Sequence, residues 1–124
     1  MVKKILIVDD SPVARAIVKK CLPKDHDFEL SEAGDGQAGV QKFKEVRPDL
    51  TLLDLTMPVM DGFGALEAIK KEDCKAVVVV LTSDIQKKTV AKVMELGADL
   101  VLAKPPSAES IQEALTTAAR ILEG

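Results

Sequence analysis

The chain has 124 residues, 47% of them apolar and 30% charged, with a formal net charge of −3. That length suits one domain, 1–124, around one core, and the composition excludes a disordered or collagen-like chain. No stretch gathers the Lys and Arg of a nucleic-acid footprint, and no apolar run is long enough to span a bilayer.

The first apolar run, Ile5 to Val8, reads as a buried strand and stops on two adjacent carboxylates, Asp9 and Asp10. A helix follows: Ser11 is a good N-cap, Pro12 fits the first helical position, and Pro23 stops it. Its spacing predicts one apolar face made of Val13, Ala14, Ile17, Val18, Cys21 and Leu22. From Phe28 to Ala33 the chain alternates, as a half-exposed edge strand does. A second helix over 36–46 is expected to bury Ala38 and Phe43.

Leu50 to Leu53 is the next strand, followed by Asp54; Asp61 then caps a helix carrying Phe63, Leu66 and Ile69. Ala76 to Leu81 is the fourth strand, followed by Thr82 and Ser83. The helix over 85–96 offers Val90, Val93 and Met94 to the core and ends at Gly97. Leu100 to Ala103 is the fifth strand, followed by Lys104, and Ser107 caps a last helix with Ile111, Leu115, Ala118 and Leu122 inward. Four of the five strands lack clean alternation, so they are covered on both faces. Five strands alternating with five helices give an α/β, doubly wound parallel sheet with helices on both sides.

Residues between these elements read as ordinary surface. Cys21 and Cys74 lack metal spacing, and with no secretory leader ahead of Val2 they place the chain in a reducing cytoplasm. His26 reads as a loop residue. Lys87, Lys88 and Lys92 form a solvated basic face, Asp35 and Asp61 are caps or turn residues, and Asp25, Asp49 and Asp99 are solvated loop charges.

In a parallel sheet all strand ends share one edge, where ligands bind. Here that edge carries Asp9, Asp10, Asp54, Thr82, Ser83 and Lys104. Two carboxylates about 5 Å apart repel by about 3 kcal/mol at an effective dielectric near 20, so three of them call for a counter-charge. A hard divalent cation supplies it through oxygen ligands, and Mg²⁺ suits a site with few carboxylates and a phosphate. Lys104 adds a fixed positive charge that can pair with Asp54 at rest or hold a phosphoryl oxygen, and Thr82 supplies a hydroxyl donor.

The blocks "ILIVDDS", "PDLTLLDLTMPVMDG", "VVVVLTSD" and "GADLVLAKP" run the length of the chain, and together they resemble the receiver domains of two-component response regulators. The resemblance implies a flavodoxin-like sheet of strand order 2-1-3-4-5. It implies that Asp54 is the phosphoacceptor, and that Mg²⁺ is held by Asp10 directly, by Asp9 mainly through water, by Asp54 and by the backbone carbonyl of Thr56. Thr82 takes the place of the switch hydroxyl, Ser83 of its small neighbour and Lys104 of the phosphate-pairing lysine. Pro105 follows a cis peptide bond. Thr56 and Asp84 occupy the positions that tune hydrolysis.

The implied partners are a histidine kinase as phosphodonor and a downstream protein target, with no nucleic acid and no membrane, and with a monomer before phosphorylation. The implied protein is a stand-alone signalling module, used in chemotaxis or as a phosphorelay shuttle, that catalyses its own phosphorylation and dephosphorylation and is not otherwise an enzyme. One departure stands out. Val101 occupies the place of the family's switch aromatic, and Pro106 follows the Lys-Pro pair, so an aromatic rotamer switch is not expected. Three rivals are an unphosphorylated binding module, a Mg²⁺-dependent aspartyl phosphohydrolase and a flavodoxin-like cofactor binder. The first fits poorly with an intact set of Asp10, Asp54, Thr82 and Lys104. The second expects a carboxylate where Thr56 stands, and the third a phosphate-cradling loop after the first strand.

Overall fold

The computed structural model describes residues 2–55 and 61–124. In chain order the elements are β1 (Lys4–Val8), α1 (Pro12–Cys21), β2 (Glu29–Ala33), α2 (Gly36–Val46), β3 (Leu50–Asp54), α3 (Gly62–Glu72), β4 (Val78–Thr82), α4 (Lys87–Glu95), β5 (Leu100–Ala103) and α5 (Ala108–Glu123). All four strand pairings are parallel, and the order across the sheet is β2-β1-β3-β4-β5. Strand and helix alternate as the apolar runs predict.

The sheet is covered on both sides because alternate residues of each central strand feed different cores. Ile5, Ile7, Leu50, Leu52, Val79 and Leu81 pack against Val18 of α1 and Ile111 and Ala114 of α5. Leu6, Val8, Leu53, Val78 and Val80 pack against Phe43 of α2, Leu66 and Ile69 of α3 and Val93 of α4. Each fully buried side chain of this size contributes about 2 kcal/mol, and that is why neither face tolerates a polar alternation.

Caps hold the helix starts as the sequence indicates. Ser11, Asp35, Asp61 and Ser107 each accept a hydrogen bond from a backbone N–H in the first turn of α1, α2, α3 and α5. Gly97 after α4 sits at φ 111°, a backbone conformation that glycine adopts without strain. Among the described residues no helix is long and apolar enough to cross a membrane.

Several side chains lie elsewhere than the periodicity suggests. On α1, Val13 is 69% exposed and Ile17 38%, so only Val18 of that helix is buried. The sheet reaches α1 along a narrower stripe than the apolar pattern marks. Ala38 of α2 is exposed, and the buried positions there are Gly36, Gly39 and Phe43, because the helix packs Gly39 onto β1 at Val8. Met94, Leu122 and Leu30 are exposed as well. Lys92 is not merely solvated, for its ammonium lies 4.6 Å from the Phe63 ring centre and links α4 to α3.

Asp49 and Asp99 are corrected from solvated charges to structural acceptors. Asp49 Oδ2 accepts from the Lys3 and Lys4 amides at 2.8 and 2.9 Å, and Asp99 Oδ2 accepts from the Val78 amide at 2.9 Å while pairing with Lys70. Each satisfies strand-start amides at the edge of the sheet opposite the carboxylates.

Thr51 in β3 is fully buried beside Leu6 and Val78, and its hydroxyl has no hydrogen-bond partner among the described residues. An unpaired buried hydroxyl costs free energy that an apolar isostere avoids. Thr51→Val is therefore expected to raise stability by about 1 kcal/mol in urea unfolding. A clear loss of stability would contradict the orphaned state of that hydroxyl.

Candidate functional site

The site is built at the carboxyl edge of the three central strands and β5. The Asp9 amide still donates to the Ala33 carbonyl at 3.1 Å, so Asp9 is held as a continuation of the β1–β2 ladder. Its Oδ1 accepts from the Ser11 amide at 2.9 Å, which aims the carboxylate along the edge and leaves Oδ2 for another partner. Asp54 ends β3. Asp9 is 3% exposed and Asp54 6%, whereas Asp10 is exposed.

One carboxylate oxygen each from Asp9, Asp10 and Asp54 lies within 4.8 Å of the others. Lys104 reaches over from the end of β5, with Nζ 2.9 Å from Asp9 Oδ2 and 3.0 Å from Asp54 Oδ1. The Lys104 amide donates to the Thr82 carbonyl at 3.0 Å and keeps the lysine at the end of β4 and β5. One ammonium thus faces three carboxylates.

The electrostatics follow from that imbalance. Burial raises Asp54 above the ordinary carboxylate range; the Lys104 hydrogen bond opposes this, and the charges of Asp9 and Asp10 reinforce it. Burial by itself would lower Lys104, but its hydrogen bonds and charge pairing with Asp9 and Asp54 outweigh burial and raise it. Three hard oxygen donors converging with a charge deficit fit a divalent cation such as Mg²⁺.

Thr82 at the end of β4 is buried, and its Oγ1 accepts from the Asp84 amide at 3.0 Å, which leaves the hydroxyl proton to donate elsewhere. Asp84 directs its own oxygens into the loop before α4, accepting from the Gln86 amide at 3.1 Å and from Thr89 Oγ1 at 2.8 Å. Ser83 is exposed and, with Lys104, Pro105, Pro106 and the α1 residues Ala14, Ile17 and Val18, lines an apolar cavity of about 340 Å³. The Lys104–Pro105 peptide bond is cis. Val101 is half-buried against the core beneath α2, α3 and α4. Thr56, the expected carbonyl ligand, lies outside the described residues.

The model of the response regulator receiver domain matches residues 5–116. The chain belongs to that family. Among proteins similar to this receiver, the chemotaxis protein CheY of Listeria monocytogenes serovar 1/2a (strain ATCC BAA-679 / EGD-e) is 41% identical over 94% of this chain and 98% of its own. A response regulator receiver domain protein from Clostridium thermocellum superposes with a TM-score of 0.88 at 28% identity, covering 98% of this chain and 97% of that one. CheY in the CheX-CheY-BeF3-Mg²⁺ complex from Borrelia burgdorferi matches with a TM-score of 0.87 at 26% identity, over 93% of this chain and 87% of that one.

Two further residues support the receiver's site, one without a motif signal and one at the end of the block "PDLTLLDLTMPVMDG". Arg15 on α1 donates through Nη1 to the Asp9 carbonyl, a contact six residues away that only the loop geometry creates. Gly62 at the start of α3 is the other. A β-carbon there would collide with the Asp54 carbonyl oxygen and the Leu55 Cα, and the Gly62 amide donates to the Leu55 carbonyl at 2.8 Å. Gly62→Ala is therefore expected to push α3 off the end of β3, costing about 2 kcal/mol in denaturant unfolding and displacing the Asp54 amide resonance. An unchanged midpoint and spectrum would contradict the close approach.

Proposed function

We propose that this receiver takes a phosphoryl group onto Asp54 from a phosphohistidine of a partner kinase and passes the signal on through protein contact. The observation that carries the proposal is the meeting of Asp9, Asp10 and Asp54 within 4.8 Å under the single ammonium of Lys104. In the proposed step a carboxylate oxygen of Asp54 attacks phosphorus, the P–N bond breaks, and its electron pair returns to the imidazole nitrogen. Water later attacks the acyl phosphate, releasing inorganic phosphate and restoring the carboxylate.

Asp9, Asp10, Asp54 and the Thr56 carbonyl would hold Mg²⁺, which when bound supplies the positive charge that three carboxylates and a phosphoryl group require. Lys104 leaves its resting pairing to hold a phosphoryl oxygen. Thr82 donates its hydroxyl proton to another, with its oxygen anchored by the Asp84 amide. Catalysis is then mostly positioning and charge neutralisation. Ser83 leaves room beside the phosphoryl group. Thr56 and Asp84 tune hydrolysis, and Asp84 does so through the loop that its carboxylate orders.

With Val101 in place of an aromatic, the conformational readout falls to the Thr82 hydroxyl and the segment 83–86. The similarity to chemotaxis CheY proteins supports a stand-alone module of one domain in a chemotaxis pathway, working in the cytoplasm with a kinase on one side and a protein target on the other. The CheY found with CheX and Mg²⁺ supports that kind of partnership.

The test is the intact mass after incubation with acetyl phosphate. The expected result is one added phosphoryl group in the presence of Mg²⁺, absent without the ion and absent in Asp54→Asn. A wild type that binds Mg²⁺ and gains no mass would contradict phosphoryl acceptance from a small donor.

A further inference from the structure

The Asp9–Asp10 pair can present two carboxylates to one ion only if the peptide between them is held in a fixed orientation. That peptide's carbonyl is the Asp9 oxygen, and Arg15 Nη1 donates to it. The same guanidinium donates through Nε to Glu32 Oε1 at 2.9 Å, and Lys19 Nζ pairs with Glu32 Oε2 at 3.0 Å. Arg15 is only 19% exposed, packed between α1 and β2. Glu32 in turn is held below the ordinary carboxylate range by the hydrogen bond from Lys19 first and by Arg15 as well, so it stays ionised as the brace.

We infer that Arg15, braced by Glu32, is a positioning residue that fixes the Asp9–Asp10 peptide and thereby sets the affinity of the carboxylate cluster for a divalent cation. The inference rests on the Mg²⁺ reading of that cluster. A planar guanidinium with separated donors suits the task, because one group must bond a carbonyl and a carboxylate at once and a lysine ammonium has no such fork. Glu32 shares its one charge between Arg15 and Lys19, so removing the arginine cation would by itself favour a divalent cation, and a weakening in its absence reports the lost orientation of the peptide. Groups that orient a ligand in this way commonly change metal affinity by about tenfold or more.

The experiment measures Mg²⁺ affinity by calorimetry, at a temperature where every variant is folded, for the wild type, Arg15→Met, Arg15→Lys and Glu32→Gln. Amide exchange at Ser11 in metal-free protein is the second readout. Arg15→Met is expected to weaken Mg²⁺ about tenfold and to speed Ser11 exchange. Arg15→Lys should recover only part of the affinity, and Glu32→Gln, which keeps the arginine and loses its brace, should show a smaller weakening. Arg47→Met, which breaks the surface pair with Glu72 elsewhere, should leave Mg²⁺ affinity and Ser11 exchange as in the wild type. Unchanged or tighter Mg²⁺ binding in both Arg15→Met and Glu32→Gln would overturn the inference while leaving the metal site standing. A wild type that binds no Mg²⁺ would overturn the site itself and this inference with it.

Discussion

Replacing Lys104 with methionine is expected to destabilise the metal-free protein by about 2 kcal/mol at neutral pH, and lowering the pH should shrink that loss. Lys104 is the one cation within ion-pair distance of Asp9 and Asp54 among the described residues, and both carboxylates are buried. Removing it leaves two buried charges unpaired, which costs more than an intact pair contributes; the figure sits below that of a fully buried pair because Lys104 is 24% exposed.

The pH dependence follows from Asp54, whose pKa burial already raises and the Lys104 hydrogen bond restrains. Without the lysine it rises further. A carboxyl with a higher pKa folded than unfolded favours the folded state as it takes up its proton, so the deficit diminishes as pH falls through the folded value. In the wild type, Lys104 itself is raised by Asp9 and Asp54 after its burial is overcome. Its contribution is therefore complete below its unfolded pKa and is lost as pH rises through the folded one. Urea unfolding of both proteins across pH measures this, with Mg²⁺ expected to restore much of the variant's stability. A Lys104→Met protein as stable as wild type at neutral pH would contradict the pairing.

The opposite sign is expected for Asp10→Asn. Asp10 is exposed and forms no ion pair among the described residues, yet one of its oxygens stands within 4.8 Å of those of Asp9 and Asp54. In the metal-free fold the repulsion from Asp9 and Asp54 outweighs the attraction of the single ammonium that those two already share. Neutralising it should raise stability by about 1 kcal/mol, or about 4 °C in Tm, while removing the stabilisation that Mg²⁺ gives the wild type. Solvent screening keeps the gain modest. Thermal unfolding with and without Mg²⁺ checks both halves, and a metal-free variant less stable than wild type would contradict the balance of charges at this edge.

The strands and the carboxylate edge were legible because both follow from short-range rules. A run such as Ile5 to Val8 is apolar on both faces only if both faces are covered, and parallel strands then bring Asp9, Asp54 and Lys104 to one edge however far apart they are in sequence. The helix faces were less legible. Val13 and Ile17 obey helical spacing as well as Val18 does, yet the sheet covers only Val18 closely, and Ile17 opens onto the cavity beside Pro105 and Pro106. Asp49, Asp99 and Arg15 stayed unread because their partners, the Lys3, Lys4 and Val78 amides and the Asp9 carbonyl, are chosen by tertiary placement. Local pattern carries no trace of such contacts.

At this edge Asp54, and neither neighbouring aspartate, is the proposed acceptor of a phosphoryl group. The most direct measurement is to treat the protein with acetyl phosphate and Mg²⁺, trap the acyl phosphate by borohydride reduction, and locate the modified residue by peptide mass spectrometry. Modification is expected at Asp54 alone and only when Mg²⁺ is present. Modification at Asp9 or Asp10, or at Asp54 to the same extent without Mg²⁺, would contradict that assignment.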